Sequence, residues 1–118
     1  MNRVTVNPAD PSSYLPLTPA VFHILLSLSR GEKHGYGIIV EVRERTAGEL
    51  RLGTGTLYTA IRRLLEQQLI EETASSDERR RSYRLLPLGH EVASAEAARL
   101  QRLVGFARDH DLIPASSK

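Results

Sequence analysis

Apolar and polar positions along the chain follow a helical period in three separate segments. The segments are residues 17–31, 35–48 and 54–68, and in each the apolar residues recur at spacings of three and four. Because a helix has about 3.6 residues per turn, the apolar residues of each segment lie on one face. The predicted stripes are Val21, Ile24, Leu25 and Leu28; Ile38, Ile39 and Val42; and Leu57, Ile61, Leu64 and Leu65. The pattern predicts three amphipathic helices around a common core.

The residues that flank these segments predict where the helices begin and end. Thr18 is expected to cap the first helix with its hydroxyl, and Pro19 suits the first turn, where a missing N–H costs nothing. Thr54 or Thr56 is expected to cap the third helix. Glycine ends helices readily because it adopts left-handed conformations without strain. The expected stop residues of the first two helices are Gly31 and Gly48.

After the third helix the period changes from helical to alternating. Leu69 and Ile70 open a first strand, and residues 74–78 form a polar turn. In the segment that follows, one face holds Arg81, Tyr83 and Leu85 and the other holds Ser82, Arg84 and Leu86. This alternation predicts a second strand and therefore a β-hairpin.

A last helix with more apolar surface than it can bury follows the hairpin. Pro87 suits its first turn, and we expect it to run to about Asp111. Its two apolar stripes are the heptad-like seam Ala93, Ala97, Leu100, Val104 and Ala107, and the set Val92, Leu103, Phe106 and Ile113. Since so small a core cannot cover both stripes, we expect one to meet a second copy of the chain. The expected dimer contacts are Val92, Ala93, Ala97, Leu100, Leu103, Val104, Phe106 and Ala107.

Composition and length agree with one small domain and exclude several classes of site. The chain has 118 residues, of which 41% are hydrophobic and 25% charged, and it has no cysteine. Disulfides and thiolate metal sites are therefore excluded, and we expect no cofactor and no metal. Residues 1–16 contain three prolines and no periodicity, so a flexible arm is expected there. We expect no signal peptide or membrane span, which places the protein in the cytoplasm.

The order helix, helix, helix, two-stranded ribbon, helix is that of a winged helix-turn-helix. The expected fold is mainly α with a small β-hairpin: a winged helix DNA-binding domain over 17–86, a dimerisation helix over 87–113 and a tail over 114–118. In this architecture the third helix enters the major groove of double-stranded DNA, where arginine forks and hydroxyls bind bases and phosphates. The residues expected to contact DNA are Tyr36, Thr54, Thr56, Tyr58, Thr59, Arg62, Arg63, Arg79, Arg80 and Arg81.

Three short motifs extend this interpretation. They are HGY at residues 34–36, GTLYTAIRRL at 55–64 with LI at 69–70, and RSYRLLPLG at 81–89. In this order and spacing they resemble the PadR family of bacterial and archaeal transcriptional regulators, specifically the short members with one C-terminal helix. The resemblance implies a homodimeric repressor that binds promoter DNA at an operator with two-fold character. Some short members bind flat aromatic compounds, so the resemblance also implies a possible small aromatic effector.

The sequence departs from the family pattern at three positions. Thr59 occupies a position where the family often has proline, and Leu86 replaces a threonine that would cap the last helix. Gln68 stands where glycine usually ends the recognition helix. We therefore expect a less abrupt end to the third helix and an uncapped start to the last one.

Simpler roles for the same residues remain open from the sequence. Arg62 and Arg63 could form a solvated helix face paired with Glu66, and the arginines at 79–81 could be balanced by the acidic residues at 77–78. The main alternative function is a winged-helix module that binds another protein and has no DNA affinity. An enzyme is a more remote alternative, because the sequence contains no catalytic constellation and its four histidines are scattered.

Overall fold

A computed structural model of the chain describes residues 10–73 and 81–114. The helices are α1 at Pro19–Leu28, α2 at Gly35–Arg45, α3 at Thr54–Glu66 and α4 at Pro87–Asp109. The strands are β1 at Lys33–His34, β2 at Ile70–Glu72 and β3 at Ser82–Leu85, and a 3₁₀ turn at Pro11–Tyr14 precedes α1. This order confirms the predicted mainly helical winged helix-turn-helix with a small β ribbon.

The ribbon is a three-stranded antiparallel sheet in the order β1-β3-β2. β3 is central: Tyr83 pairs with Lys33 of β1, and Leu85 pairs with Ile70 of β2. The sequence pattern did not reveal β1, because a strand of two residues is too short to show an alternation. β1 matters because α2 begins at the next residue, so the sheet positions the start of that helix.

The core lies where the three amphipathic helices meet the sheet and the first half of α4. The predicted stripes are confirmed as its main components, with Val21, Ile39 and Leu65 only half-buried at its margin. Its fully enclosed apolar side chains are Ile24, Leu25, Leu28, Ile38, Val42, Leu52, Leu57, Ile61, Leu64, Leu69, Ile70, Tyr83 and Val92. Burial of side chains from every long element makes the helices and the sheet one packed unit.

The helices begin in two different ways. Thr18 caps α1 as predicted, because its Oγ1 accepts the N–H of Val21 at 3.1 Å. The predicted threonine cap of α3 is wrong: Gly53 is the capping residue, Thr54 is already helical, and no side chain bonds to the first turn. Leu86 begins α4 without a side-chain cap, as expected.

Three helices end in the same hydrogen-bonded motif, in which a residue with positive φ follows the last turn. At the end of α3 that residue is Gln68 (φ 63°), and the N–H of Leu69 reaches the carbonyl of Leu64 at 3.0 Å. The helix therefore ends sharply, and the expected gradual end is wrong. Ala47 (φ 53°) and Asp111 (φ 63°) occupy the same position after α2 and α4.

The segment before α1 is docked on the domain. Asp10 caps the turn at Pro11–Tyr14, with the Ser12 N–H 3.0 Å from its carboxylate, and Tyr14 and Leu15 pack against the core. The predicted flexible arm is therefore wrong for residues 10–16. Residues 1–9 lie outside the described part of the chain.

A buried carboxylate connects this segment to α4. Glu96 is only 2% exposed, and its oxygens accept hydrogen bonds from Arg99 Nε at 2.6 Å and Arg99 Nη2 at 2.9 Å. The N–H of Leu17 adds a third bond at 3.3 Å. The hydrogen bonds from Arg99 hold the pKa of Glu96 below its ordinary value, although burial acts in the opposite direction.

Gly89, near the start of α4, allows the helix to approach the chain just after α3. A Cβ at Gly89 would collide with the backbone carbonyl of Leu69, which also accepts the N–H of Leu86 at 3.0 Å. By contrast, a Cβ at Gly105 in the same helix would meet nothing within 4 Å. The fold therefore requires glycine at position 89, whereas at position 105 it leaves room for a side chain.

We expect Gly89→Ala to lower the free energy of unfolding by about 3 kcal/mol, because a backbone carbonyl cannot move aside. Gly105→Ala is the matched control and should raise it by up to about 1 kcal/mol through helix propensity. Urea unfolding at one fixed protein concentration measures both. Equal effects for the two variants would contradict the close approach at Gly89.

We expect Glu96→Gln to lower the free energy of unfolding at pH 7 by about 2 kcal/mol, because the amide loses the charge-assisted bonds to Arg99. The depressed pKa means that the ionised form stabilises the fold above the ordinary value of 4.5, and that this contribution is lost as the pH falls below it. The difference in free energy of unfolding between wild type and Glu96→Gln should therefore become smaller as the pH is lowered from 7. Urea titrations at several pH values measure it, with exposed Glu91→Gln as the control. A constant gap would refute the assignment.

Candidate nucleic-acid interface

α3 turns one side to the core and the other to the outside. Leu57, Ile61 and Leu64 anchor the helix, each at most 2% exposed. The predicted contact residues of this helix are all exposed and share its outer side; we call them the α3 face. They are Thr54, Thr56, Tyr58, Thr59, Arg62 and Arg63. The structure thus brings together the α3 part of the predicted site on one surface.

The two arginines of the α3 face lack an acidic partner in the described part of the chain. Within the described residues, neither Arg62 nor Arg63 forms an ion pair, so the alternative in which Glu66 balances them does not occur in this structure. Other arginines are engaged: Arg45, for example, donates to Glu41 at 3.0 Å and to Ser27 at 2.9 Å. The free guanidinium groups of α3 are available to an external anion.

Tyr58 connects the α3 face to the start of α2. Its hydroxyl lies so close to Gly35 that a Cβ there would collide with it. Next to this contact, Tyr36 is 69% exposed, while Tyr58 itself is 42% exposed. Both predicted tyrosines therefore lie on the outside, and the first turn of α2 adjoins the α3 face.

The first turns of α2 and α3 leave backbone N–H groups without side-chain partners. The capping positions are His34, whose side chain does not bond to its helix, and Gly53, which has no side chain. The imidazole of His34 is hydrogen-bonded through Nδ1 to Ser82 Oγ at 2.6 Å. Unsatisfied N–H groups at a helix start, together with the positive end of the helix dipole, favour a phosphate group.

Glycines at these two helix starts are a signal that the sequence interpretation missed. A Cβ at Gly37, Gly53 or Gly55 would meet nothing within 4 Å, and none of the three has a positive φ. Internal packing and backbone conformation therefore do not require glycine there. Glycine at these positions leaves the backbone open to a molecule from outside, and Gly53 is also a favourable capping residue.

The ribbon contributes less free charge than its arginine content suggests. Arg84 is bound to Glu71, with its Nε 2.6 Å from a carboxylate oxygen. Arg81 forms a longer ion pair, with its Nε 3.6 Å from Oε2 of Glu72. Burial and the nearby Glu72 raise the pKa of Tyr83, so its hydroxyl stays neutral near pH 7. The predicted contacts Arg79 and Arg80 lie outside the described residues.

The apolar surface of α4 is divided along the helix rather than around it. Val92 is fully buried in the core of its own chain and has no surface to offer a partner, so its assignment as a dimer contact is wrong. Ala93 also packs against the core. Ala97 is exposed before this point. Beyond Arg99 the helix leaves the domain: Leu103, Val104 and Phe106 are exposed, and Leu100 and Ala107 are half-buried.

The described parts of the chain hold neither a metal-binding cluster nor a membrane-spanning helix. Residues 10–73 and 81–114 contain no group of three or more His, Cys, Asp or Glu side chains that could hold a metal ion. His110 is bonded locally, with its Nδ1 2.9 Å from the Phe106 carbonyl oxygen. Over the same residues, no helix combines the length and the apolar character that crossing a membrane requires.

The chain matches the model of the PadR-like family of transcriptional regulators over residues 24–95. The chain belongs to this family. Members of this family are transcriptional regulators. The match includes all of α2 and α3, the sheet and the first part of α4, and so contains the α3 face.

Solved structures of regulators share the fold. A transcriptional regulator from Clostridium thermocellum is 25% identical, with a TM-score of 0.68 over 76% of this chain and 87% of that one. A PadR family transcription regulator from Clostridium difficile is 24% identical, with a TM-score of 0.69 over 79% of this chain and 98% of that one. The uncharacterized 37.1 kDa protein in transposon Tn4556 of Streptomyces fradiae is 38% identical over 82 residues. Those residues are 70% of this PadR-like chain, which spans only 23% of that protein's length.

Proposed function

We propose that this PadR-like protein is a ligand-responsive repressor that binds promoter DNA as a homodimer on a two-fold operator. The observation that carries the proposal is the α3 face. Its two arginines form no ion pair with any residue that the structure describes, and they stand beside two helix starts that contain glycines and have no side-chain cap. Guanidinium groups bind guanine edges and phosphate, and open helix starts bind phosphate. A surface with these donors and few acceptors is complementary to a polyanionic duplex.

The proposed mode of binding places one α3 in each of two successive major grooves, about 34 Å apart. Tyr36, Tyr58 and the threonines of the α3 face contact phosphates near the groove edge, while Arg62 and Arg63 reach bases or the opposite backbone. The ribbon lies along the flanking DNA and carries Arg79, Arg80 and Arg81 toward it. Such a dimer represses by competing with RNA polymerase for the promoter. A ligand releases it by changing the angle between the subunits.

The exposed half of α4 supports the dimer in this proposal. Leu103, Val104 and Phe106 are between 43% and 59% exposed in the single chain. Apolar side chains at this spacing on one helix face are typical of a helix–helix interface. Pairing α4 with its copy buries them and sets the separation of the two α3 helices.

We expect Arg62→Ala and Arg63→Ala each to weaken binding to a duplex from the region upstream of the chain's own gene by roughly 5- to 150-fold, which corresponds to about 1–3 kcal/mol. A side chain that contacts phosphate should also reduce the slope of log affinity against log salt by about 1. Fluorescence anisotropy at several salt concentrations measures both quantities.

Arg102→Ala is the matched control for this experiment, because it removes the same charge from an exposed position on α4. It should bind the duplex like wild type. If the two α3 variants also bind like wild type, the α3 face does not contact DNA, and the protein-binding module becomes the better explanation.

We expect Leu103→Glu to raise the dissociation constant of the homodimer by roughly tenfold or more, since it removes about 1.5–3 kcal/mol of apolar burial. Gln101→Glu introduces the same charge two residues away, on nearly the opposite side of the helix, and should leave the dimer intact. Sedimentation velocity over a range of concentrations measures the equilibrium. A wild-type chain that stays monomeric, or equal behaviour of the two variants, would refute the interface.

A further inference from the structure

An open pocket lies behind the α3 face, between the docked segment before α1 and the last turns of α3. Its volume is about 270 Å³. The walls are largely apolar and include Tyr14, Leu17, Val21 and Leu64, while Ala60 leaves room between α3 and the segment. Ligand pockets in proteins start at about 300 Å³, so this one suits a single ring or a short chain.

Arg63 is the one charged side chain among the described residues that line this pocket. As noted above, it has no ion pair in the described part of the chain. Arg63 is exposed, so solvent screens its charge, but a charge-assisted bond to a carboxylate is still stronger than a neutral hydrogen bond. Gln67, one turn later, also lines the pocket and carries an amide donor. The lining is therefore complementary to a molecule with an apolar body and one negative charge.

The geometry points to a binding site for a small amphipathic monoanion, with its apolar body in the pocket and its carboxylate on Arg63. Arg63 also belongs to the α3 face, and this step rests on the proposed function. The bound carboxylate and a DNA phosphate compete for the same guanidinium. Occupancy of the pocket therefore lowers the affinity for DNA, and DNA lowers the affinity for the monoanion by the same factor.

The binding step is tested without DNA. The full chain is titrated with hexanoate, and with hexylamine and hexan-1-ol as probes of the same length but opposite or no charge. NMR chemical shifts of the methyl groups of Val21 and Leu64 report occupancy of the pocket. Hexanoate should bind and shift both residues, hexylamine should not bind, and hexan-1-ol should bind more weakly.

Three variants separate the pocket from general anion binding. Arg63→Gln removes the charge and should abolish hexanoate binding, whereas Arg62→Gln, which removes a charge from an arginine outside the pocket lining, should retain it. Ala60→Leu fills the pocket and should also abolish binding; if this variant does not fold, Arg63→Gln decides, since its site is exposed. Absence of hexanoate binding to wild type, or binding that survives Arg63→Gln, overturns the site.

The coupling is tested by measuring DNA affinity with and without saturating hexanoate. Wild type should lose roughly five- to tenfold in affinity, the low end of known couplings between sites. Arg63→Gln binds DNA more weakly from the start and should show no further change. Hexanoate binding with an unchanged DNA affinity overturns the competition. Failure of the proposed function has a different result, because wild type then does not bind the duplex at all. The hexanoate titration without DNA still tests whether the pocket binds a monoanion.

Discussion

The junction between His34 and Gly35 is the constraint on which the rest of the arrangement depends. His34 ends β1 and is hydrogen-bonded to Ser82 of β3, so it fixes the edge of the sheet. Gly35 begins α2 and lies against the hydroxyl of Tyr58 on α3, at a distance that excludes any Cβ. Two adjacent residues thus set the position of α2 relative to the sheet on one side and to α3 on the other.

This constraint gives a physical meaning to the motifs that suggested the PadR family. Residues 34–36, 55–64 and 81–89 are separated in sequence, yet His34 contacts the third motif and Gly35 contacts the second. Gly89 is required for the same kind of reason, because α4 approaches the backbone at Leu69. The conformational entropy that these contacts cost is lost when the chain folds, not when DNA binds. These contacts fix the backbones of α2 and α3, and with them the two helix starts of the proposed interface.

α4 shows how one apolar face can serve two purposes. Its first part is held on the domain by Val92 and by the buried Glu96 with its bonds to Arg99 and Leu17. Its second part continues with the same side of the helix beyond the domain, and the residues that the structure describes leave Leu103 and Phe106 47% and 59% exposed. Helical periodicity reports the angle of a residue around the helix. It does not report how far along the helix the core extends, and this is why Val92 was wrongly assigned to the dimer.

The sequence by itself determined the three amphipathic helices, the hairpin, the Thr18 cap and the outward side of α3. These features depend on residues within about one helical turn of each other, or on a repeat that is visible in the chain. Only the tertiary structure decided that β1 exists, that Gly53 rather than a threonine begins α3, and that residues 10–16 are docked. It also decided that Arg84 is bound to Glu71, whereas Arg62 and Arg63 form no ion pair within residues 10–73 and 81–114. The physical reason is distance along the chain: the bond between Leu17 and Glu96 joins residues 79 positions apart, and no local pattern records such a contact.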